Sequence, residues 1–436
     1  YTMKGGWSLN LPKTTIALDL EGGYGGNKRK GEMNYKETRS VAGGSPVTED
    51  YRSIDDYDND ENIGLGSLAV QHKFNDKGHE LSGSAYYKYG GHALEYFFND
   101  LMSLEGQRQQ GHRAYEAEHR ETMRINLDYA LPFGKGGKLE AGYQYYSYLE
   151  DGDYNMEWWD PKGQTFFWRD DIYNTFYFQE GVNSIYTILS HTWKNLEAQA
   201  GVRGEHTHTV LRSSVEGADR TKNRFEFFPS VHLGYTFPNE HRLLASYSRR
   251  TTRPQLFYME PYITYRDFYT AEIGNPDIRP EYINSFELNY RKSFGENTVS
   301  ATAFHRYRKD KIERLRVPYS AGVTLDSMAN VGHDYSTGIE LSVSLHPVRW
   351  WNTTVNGNVY HYKVKNEQAA GGNTTSSTNY DILWNNLFNL GKYTRIQLDG
   401  SFVGPSVTTQ GRTDAYWYAN VAVRQQLCNR KLTADR

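Results

Sequence analysis

LASYSRRTTRPQLFYMEPYITYRDFYTAEIGNPDIRPEYINSFELNYR, residues 244–291, decides how this chain is read. It opens as a strand, with Leu243, Ala245 and Tyr247 on one face and Leu244, Ser246 and Ser248 on the other. The alternation stops at Arg253-Pro254, because Pro carries no N–H for a ladder and holds its predecessor extended. A Tyr-rich excursion follows, closing through Gly274-Asn275-Pro276-Asp277 and Arg279-Pro280-Glu281, residues suited to turns. Alternation then resumes, with Phe286, Leu288 and Tyr290 opposite Glu287, Asn289 and Arg291. The stretch therefore reads as two long strands joined by an ordered, proline-punctuated loop. Within that loop Asp277 is expected to cap a turn through its side chain, and Pro280 to lead into the next strand.

The same grammar extends in both directions. Short turns are expected at Leu11-Pro12-Lys13, Asn75-Asp76-Lys77-Gly78, Phe133-Gly134-Lys135-Gly136, Lys194-Asn195 and Pro238-Asn239-Glu240. Others fall at Phe294-Gly295-Glu296-Asn297, His346-Pro347-Val348, Gly391-Lys392-Tyr393 and Cys428-Asn429-Arg430. Strands beside them alternate with period two. Met123, Ile125, Leu127, Tyr129 and Leu131 oppose Arg124, Asn126 and Asp128, and Ile339, Leu341, Val343 and Leu345 oppose Glu340, Ser342 and Ser344. Leu196, Ala198, Ala200 and Val202 oppose Glu197, Gln199 and Arg203; Trp417, Ala419, Val421 and Val423 oppose Tyr418, Asn420 and Arg424.

A soluble sandwich or a propeller would also alternate. The apolar faces here mix Leu and Val with Ala and Gly, which suits lipid contact, and aromatics crowd the strand ends, as at Trp158-Trp159, Trp350-Trp351 and Tyr416-Trp417-Tyr418. About eighteen strands are readable, more than a sandwich holds, and no blade motif recurs. In lipid every backbone polar group needs a partner, so the sheet has to close. The fold class is therefore all-β: a large antiparallel transmembrane β-barrel with short periplasmic turns, long extracellular loops and a polar lumen. A mean hydropathy of −0.77 agrees with this, since barrel strands average out as polar.

The net charge of −3 gives no field for nucleic acid. The single cysteine, Cys428, excludes an internal disulfide framework. No nucleophile elbow or zinc helix motif occurs, so the chain is not read as an enzyme, and neither catalytic residues nor a cofactor are expected.

Long loops are expected over Ser40–Glu61, Gly90–Tyr115, Glu150–Arg169, Ser213–Lys222, Thr251–Pro280, Pro318–His333 and Asn366–Asn379. The acidic run Asp55 to Glu61 lacks the glycine and late glutamate of an EF-hand, so it reads as a solvated loop before it reads as a calcium site. His206 and His208 share a strand face and, with Glu205, are a weak candidate metal pair. Trp158, Trp159, Phe167, Trp168, Tyr265 and Tyr269 are candidate ligand-contacting aromatics, against the plainer reading of loop packing. Arg249, Arg250 and Arg253 are read first as structural residues of the loop base.

"SYSRR…RP" followed by "GNPDIRPEYINSFELNY" resembles the signature of TonB-dependent outer-membrane receptors in the form common in Bacteroidota. The resemblance rests on Tyr247, Arg249, Arg253, Pro254, Asn275, Pro276, Asp277, Arg279, Pro280 and Glu281, and extends in style over nearly the whole chain. It implies uptake of a scarce nutrient (siderophore, cobalamin, glycan or peptide) across the outer membrane of a Gram-negative bacterium. The implied partners are outer-membrane lipid, a small ligand, a surface lipoprotein and the TonB complex, the last acting through an N-terminal region. A passive porin is the alternative, followed by a barrel enzyme or adhesin. Receptors of this kind close with 22 strands around a plug. Residues 1–436 are accordingly expected to be one barrel domain truncated at both ends, without a plug, and with residues near Trp7 not pairing directly with residues near Leu432.

Overall fold

The computed structural model describes residues 1–39, 45–320, 322–368, 372–427 and 432–435. One sheet of 21 strands dominates. Three of its strands, Thr165–Trp168, Ile263–Tyr265 and Thr270–Ile273, are short pieces within connections. The other eighteen form the wall, each antiparallel to the next, from Thr2–Asn10 through Thr14–Arg39 and onward to Tyr416–Leu427 and Leu432–Asp435. Among the described residues Thr2–Asn10 pairs only with Thr14–Arg39, and Leu432–Asp435 only with Tyr416–Leu427.

Strand facing follows the alternation. Ile339 and Leu341 point outward and are exposed, whereas the intervening residues look inward, and Ser342 donates to Asn356 Oδ1 at 2.8 Å. Inward polar side chains also link strand to strand around the wall. Arg203 donates to Gln144 at 2.6 Å and to Ser184 at 2.7 Å, Gln144 to Asn126 at 2.7 Å, and Asn126 to Ser84 at 3.0 Å. Such a belt satisfies polar groups that lipid could not.

The short turns sit at one end of the sheet. Gly295 adopts φ 58° and Asn239 φ 62°, left-handed conformations that Gly and Asn tolerate best. One expected turn moves. The Val323–Val348 strand runs through His346 and Pro347, with its irregularity between Leu345 and Val348, and the chain reverses at Arg349-Trp350. Pro347 is accommodated where the ladder is interrupted and no N–H is required. The Cys428-Asn429-Arg430 turn lies outside the described residues.

Most of the expected long loops are instead overhanging strands. Thr14–Arg39 and Val47–Lys73 stay paired from Thr14 opposite His72 up to Arg39 opposite Val47. Glu80–Ser103 and Arg108–Phe133 turn only at residues 104–107, and Asn297–Ser320 and Val323–Val348 pair up to Ser320 opposite Val323. Both faces of these overhangs carry polar residues and aromatics, so no apolar alternation marks them, yet the backbone ladder continues regardless. Cross-strand ion pairs such as Lys30–Asp56 (3.5 Å) and Arg52–Glu32 (3.1 Å) accompany it. Among the described residues the longest irregular connection is the one after Thr252, with a 3₁₀ turn at Leu256–Tyr258 and re-entry into the wall at Glu281.

Residues 55–62, 158–164 and 265–273 therefore sit at the end opposite the turns containing Lys135, Asn239 and Glu296. Epitope tags placed in the first three are expected to be antibody-accessible on intact cells. A tag at Glu296 should become accessible only after permeabilisation; labelling of Glu296 on intact cells would invert the orientation.

Candidate functional site

The connection after Thr252 folds into the mouth of the barrel because it is apolar on the side that meets the wall. Leu256, Met259, Tyr262 and Ile278 pack with Ala114, Tyr154, Met156, Ile172, Phe176, Phe178 and Leu211. Met156 is 0% and Tyr262 3% exposed. Each such side chain taken from water contributes about 1.5–3 kcal/mol, enough to hold a segment with little regular structure.

Backbone pairing fixes the remainder. Thr270–Ile273 adds to the wall as a parallel strand against residues 324–327, and it also pairs with Ile263–Tyr265. Gly274 donates to Glu260 O at 2.7 Å, and Asn275 donates to Tyr258 O at 2.6 Å. A Cβ at Gly274 would collide with the Glu260 backbone, so the close approach requires glycine.

The motif residues build this frame. Tyr247 donates to Asn284 at 3.0 Å, and the Arg249 guanidinium lies over the Tyr282 ring at 5.3 Å. Arg253 reaches Glu205 and Thr207, and Pro254 lines the cleft described below. Arg279 pairs with Asp310 at 2.8 Å, and its backbone is clamped by Asn330. Pro280 is fully buried, and the Glu281 carboxylate accepts from Ile312 N at 2.7 Å.

The cap expected from Asp277 comes from Asn275, whose Oδ1 accepts from Asp277 N at 2.9 Å. Asp277 instead receives both arms of Arg220, at 2.7 and 2.9 Å, while Lys222 donates to Pro276 O at 2.7 Å. Arg220 holds the Asp277 carboxyl below its usual range. Asp277→Ala is thus expected to free this edge of the loop from residues 220–222. The pair is exposed, so the loss in heat resistance should be small. Substrate affinity should change less than barrel heat resistance on gels; the reverse would make Asp277 a ligand contact.

Of the candidate aromatics, Trp158 and Tyr265 meet across the mouth at 5.6 Å, edge to face, around His112 and beneath Arg169, which lies 3.9 Å above Trp158. Burial pushes the His112 imidazole down to about 4, leaving it neutral. Tyr269 joins Tyr35 and Tyr51 in a tyrosine cluster, its hydroxyl bonded to that of Tyr51. Trp159 and Trp168 occupy the other face, as neighbours of inward residues on a strand must. Trp159 packs on Phe166 beneath Arg108, and Trp168 lies against Tyr115. Phe167 is 45% exposed. The six aromatics do not form one platform.

Neither metal candidate assembles. Residues 55–61 are strand, so their acids split between two faces. Asp56 and Asp58 pair with Lys30 and Lys28, and Asp55 accepts from Asn99. His206 stacks outward on Phe225 at 4.4 Å and His208 bonds Asn223 at 2.9 Å, while Glu205 is buried with Arg203 and Arg253. Among the described residues no cluster of His, Cys, Asp and Glu could hold a metal ion.

The main feature of the mouth went unread in the sequence. Glu118, Arg120, Tyr146, Tyr148, Glu150, Phe178 and Glu180 on the wall face Pro254–Phe257 and Glu260 on the loop across a cleft of about 430 Å³. Arg120 bonds Glu150 at 2.8 Å and also pairs with Glu118. On the outward face of this strand apolar residues run from Leu131 to Met123 and give way to Glu121 and His119, so these acids lie above the lipid-facing band. Burial, reinforced by Glu118 and Glu150, pushes the Glu260 carboxyl up to about 8. Burial beside Glu118 pushes Glu116 up to about 9. Period two within Glu116-Ala117-Glu118-His119-Arg120 was the available signal for a shared face.

A family model described as the outer membrane protein beta-barrel family matches residues 72–435. No curated protein matches. Among solved structures, the copper transporter OprC aligns over 98% of this chain and 72% of its own, with TM-score 0.62 and 10% identity. The ferric-catecholate import receptor Fiu from K12 E. coli and the siderophore receptor PiuA from Acinetobacter baumannii each align over 98% of this chain and 73% of their own. Both have TM-score 0.60 and 11% identity. At such identities the likeness is one of fold. With the family matched over most of its length, the chain belongs to the outer membrane protein beta-barrel family and resides in the outer membrane of a Gram-negative bacterium.

Proposed function

We propose that this barrel takes up a scarce nutrient across the outer membrane, energised by the TonB complex. The observation that carries the reading is the loop folded into the mouth. It narrows the opening and offers a cleft of carboxylates, an arginine and aromatic rings, an arrangement suited to recognising a solute rather than sieving many. The solved barrels of like fold include transporters and import receptors, which supports the same reading. The substrate belongs to the siderophore, cobalamin, glycan or peptide class, and a surface lipoprotein is a further proposed partner.

The test is uptake by a deletion strain and its complement, using labelled representatives of the four classes. Uptake of one class should be lost on deletion, restored by the gene, and abolished when TonB is removed. Uptake that persists without TonB would make the protein a passive channel.

A further inference from the structure

The outer face is one side chain short at Gly204. The cross-strand row Ile185, Gly204, Phe227 places a glycine between two apolar side chains that are 69% and 65% exposed. Val202 lies below it and Phe225, 78% exposed, diagonally above, leaving an apolar notch of about 440 Å³ on the outside of the wall. The wall does not demand the glycine. Gly204 lacks a positive φ, and a Cβ there would meet Phe227 at 3.4 Å, an ordinary contact. The end of the notch nearer the overhanging hairpins is polar. Asn183, which accepts from Tyr143 at 2.8 Å, and His206 line it there, and beyond the notch on the same face His208 bonds Asn223 at 2.9 Å.

We propose that this notch is a lipid site, holding one acyl chain of an outer-leaflet lipid with its head group against Asn183, His206 and His208. The occupant follows from position, because the notch opens on the surface that an outer-membrane barrel presents to lipid. Its aliphatic and aromatic walls match a hydrocarbon chain, and its polar end lies where a head group would sit. A lipid held there differs from the annulus around it by having side chains on both flanks and main chain as its floor.

Native mass spectrometry of the detergent-extracted barrel, released from progressively harsher detergent, tests this. The wild type should retain one lipid of outer-leaflet mass. Gly204→Leu, which fills the notch, should lower retention about fourfold for each methylene displaced. Ala200→Leu, on the same outward face but outside the notch, should leave retention unchanged. If Gly204→Leu assembles poorly, Phe227→Ala removes one flank and should reduce retention likewise. Equal retention in all variants, retention of inner-leaflet phospholipid only, or a dimer lost with Gly204→Leu would each overturn the proposal.

Discussion

Leu341→Arg is expected to sharply reduce assembled, heat-resistant barrel, at a cost of roughly 2–4 kcal/mol if the site lies near the bilayer midplane. Leu341 points outward between Ala301 and Gly357, so an arginine there has no polar partner across either neighbouring strand. Val421→Arg, at a side chain 67% exposed on the outer face, should behave alike. Ser342→Arg and Asn420→Arg should be tolerated better, because the opposite face opens to a wet lumen. Heat-modified mobility and urea titration of the folded band would measure all four. Equal damage from both pairs would indicate a sheet packed against protein on both faces.

The second large effect is a pH-dependent release of the inward loop. Glu260 is raised from 4.5 to about 8 by burial first and by Glu118 and Glu150 next, with Arg120 opposing. Glu272 also faces it, and Glu116 and Glu118 are raised too. A carboxyl whose docked pKa lies above its free value docks without penalty below pH 4.5. From there the undocked form loses its proton first, so docking weakens as pH rises and levels off above about 8. The steepest change is at most about tenfold per pH unit. Hydrogen exchange across residues 256–262 should therefore quicken between about pH 5 and pH 8, after correction for the intrinsic rate. Glu260→Gln should slow it at the upper end and flatten much of the profile. An unchanged profile in the variant would remove Glu260 from the docking equilibrium.

Reading residues in order recovered what depends on nearest neighbours. The facing of Ile339 to Leu345, the turn at Phe294 to Asn297 and the eighteen wall strands all follow from period two and turn chemistry. The overhangs escaped because both their faces carry polar residues, leaving Asp55 to Glu61 to look like a loop although its backbone is fully paired. Roles that depend on distant register were also hidden. Asp277 resembles a local cap until Arg220 is found beside it, and Glu260 looks solvated until the loop turns inward onto Glu118. Adjacent strand residues cannot share a face, which separates Trp158 from Trp159 among the candidate aromatics.

The parallel pairing of Thr270–Ile273 with the Val323–Val348 strand has an evolutionary consequence. That seam is made of amides and carbonyls, which every residue but proline supplies in full. Mutation can therefore rewrite the side chains of this segment while the stitching that positions it survives. A lineage of such barrels could remodel its mouth by drifting through point substitutions here, without first having to reinvent the frame that holds the loop.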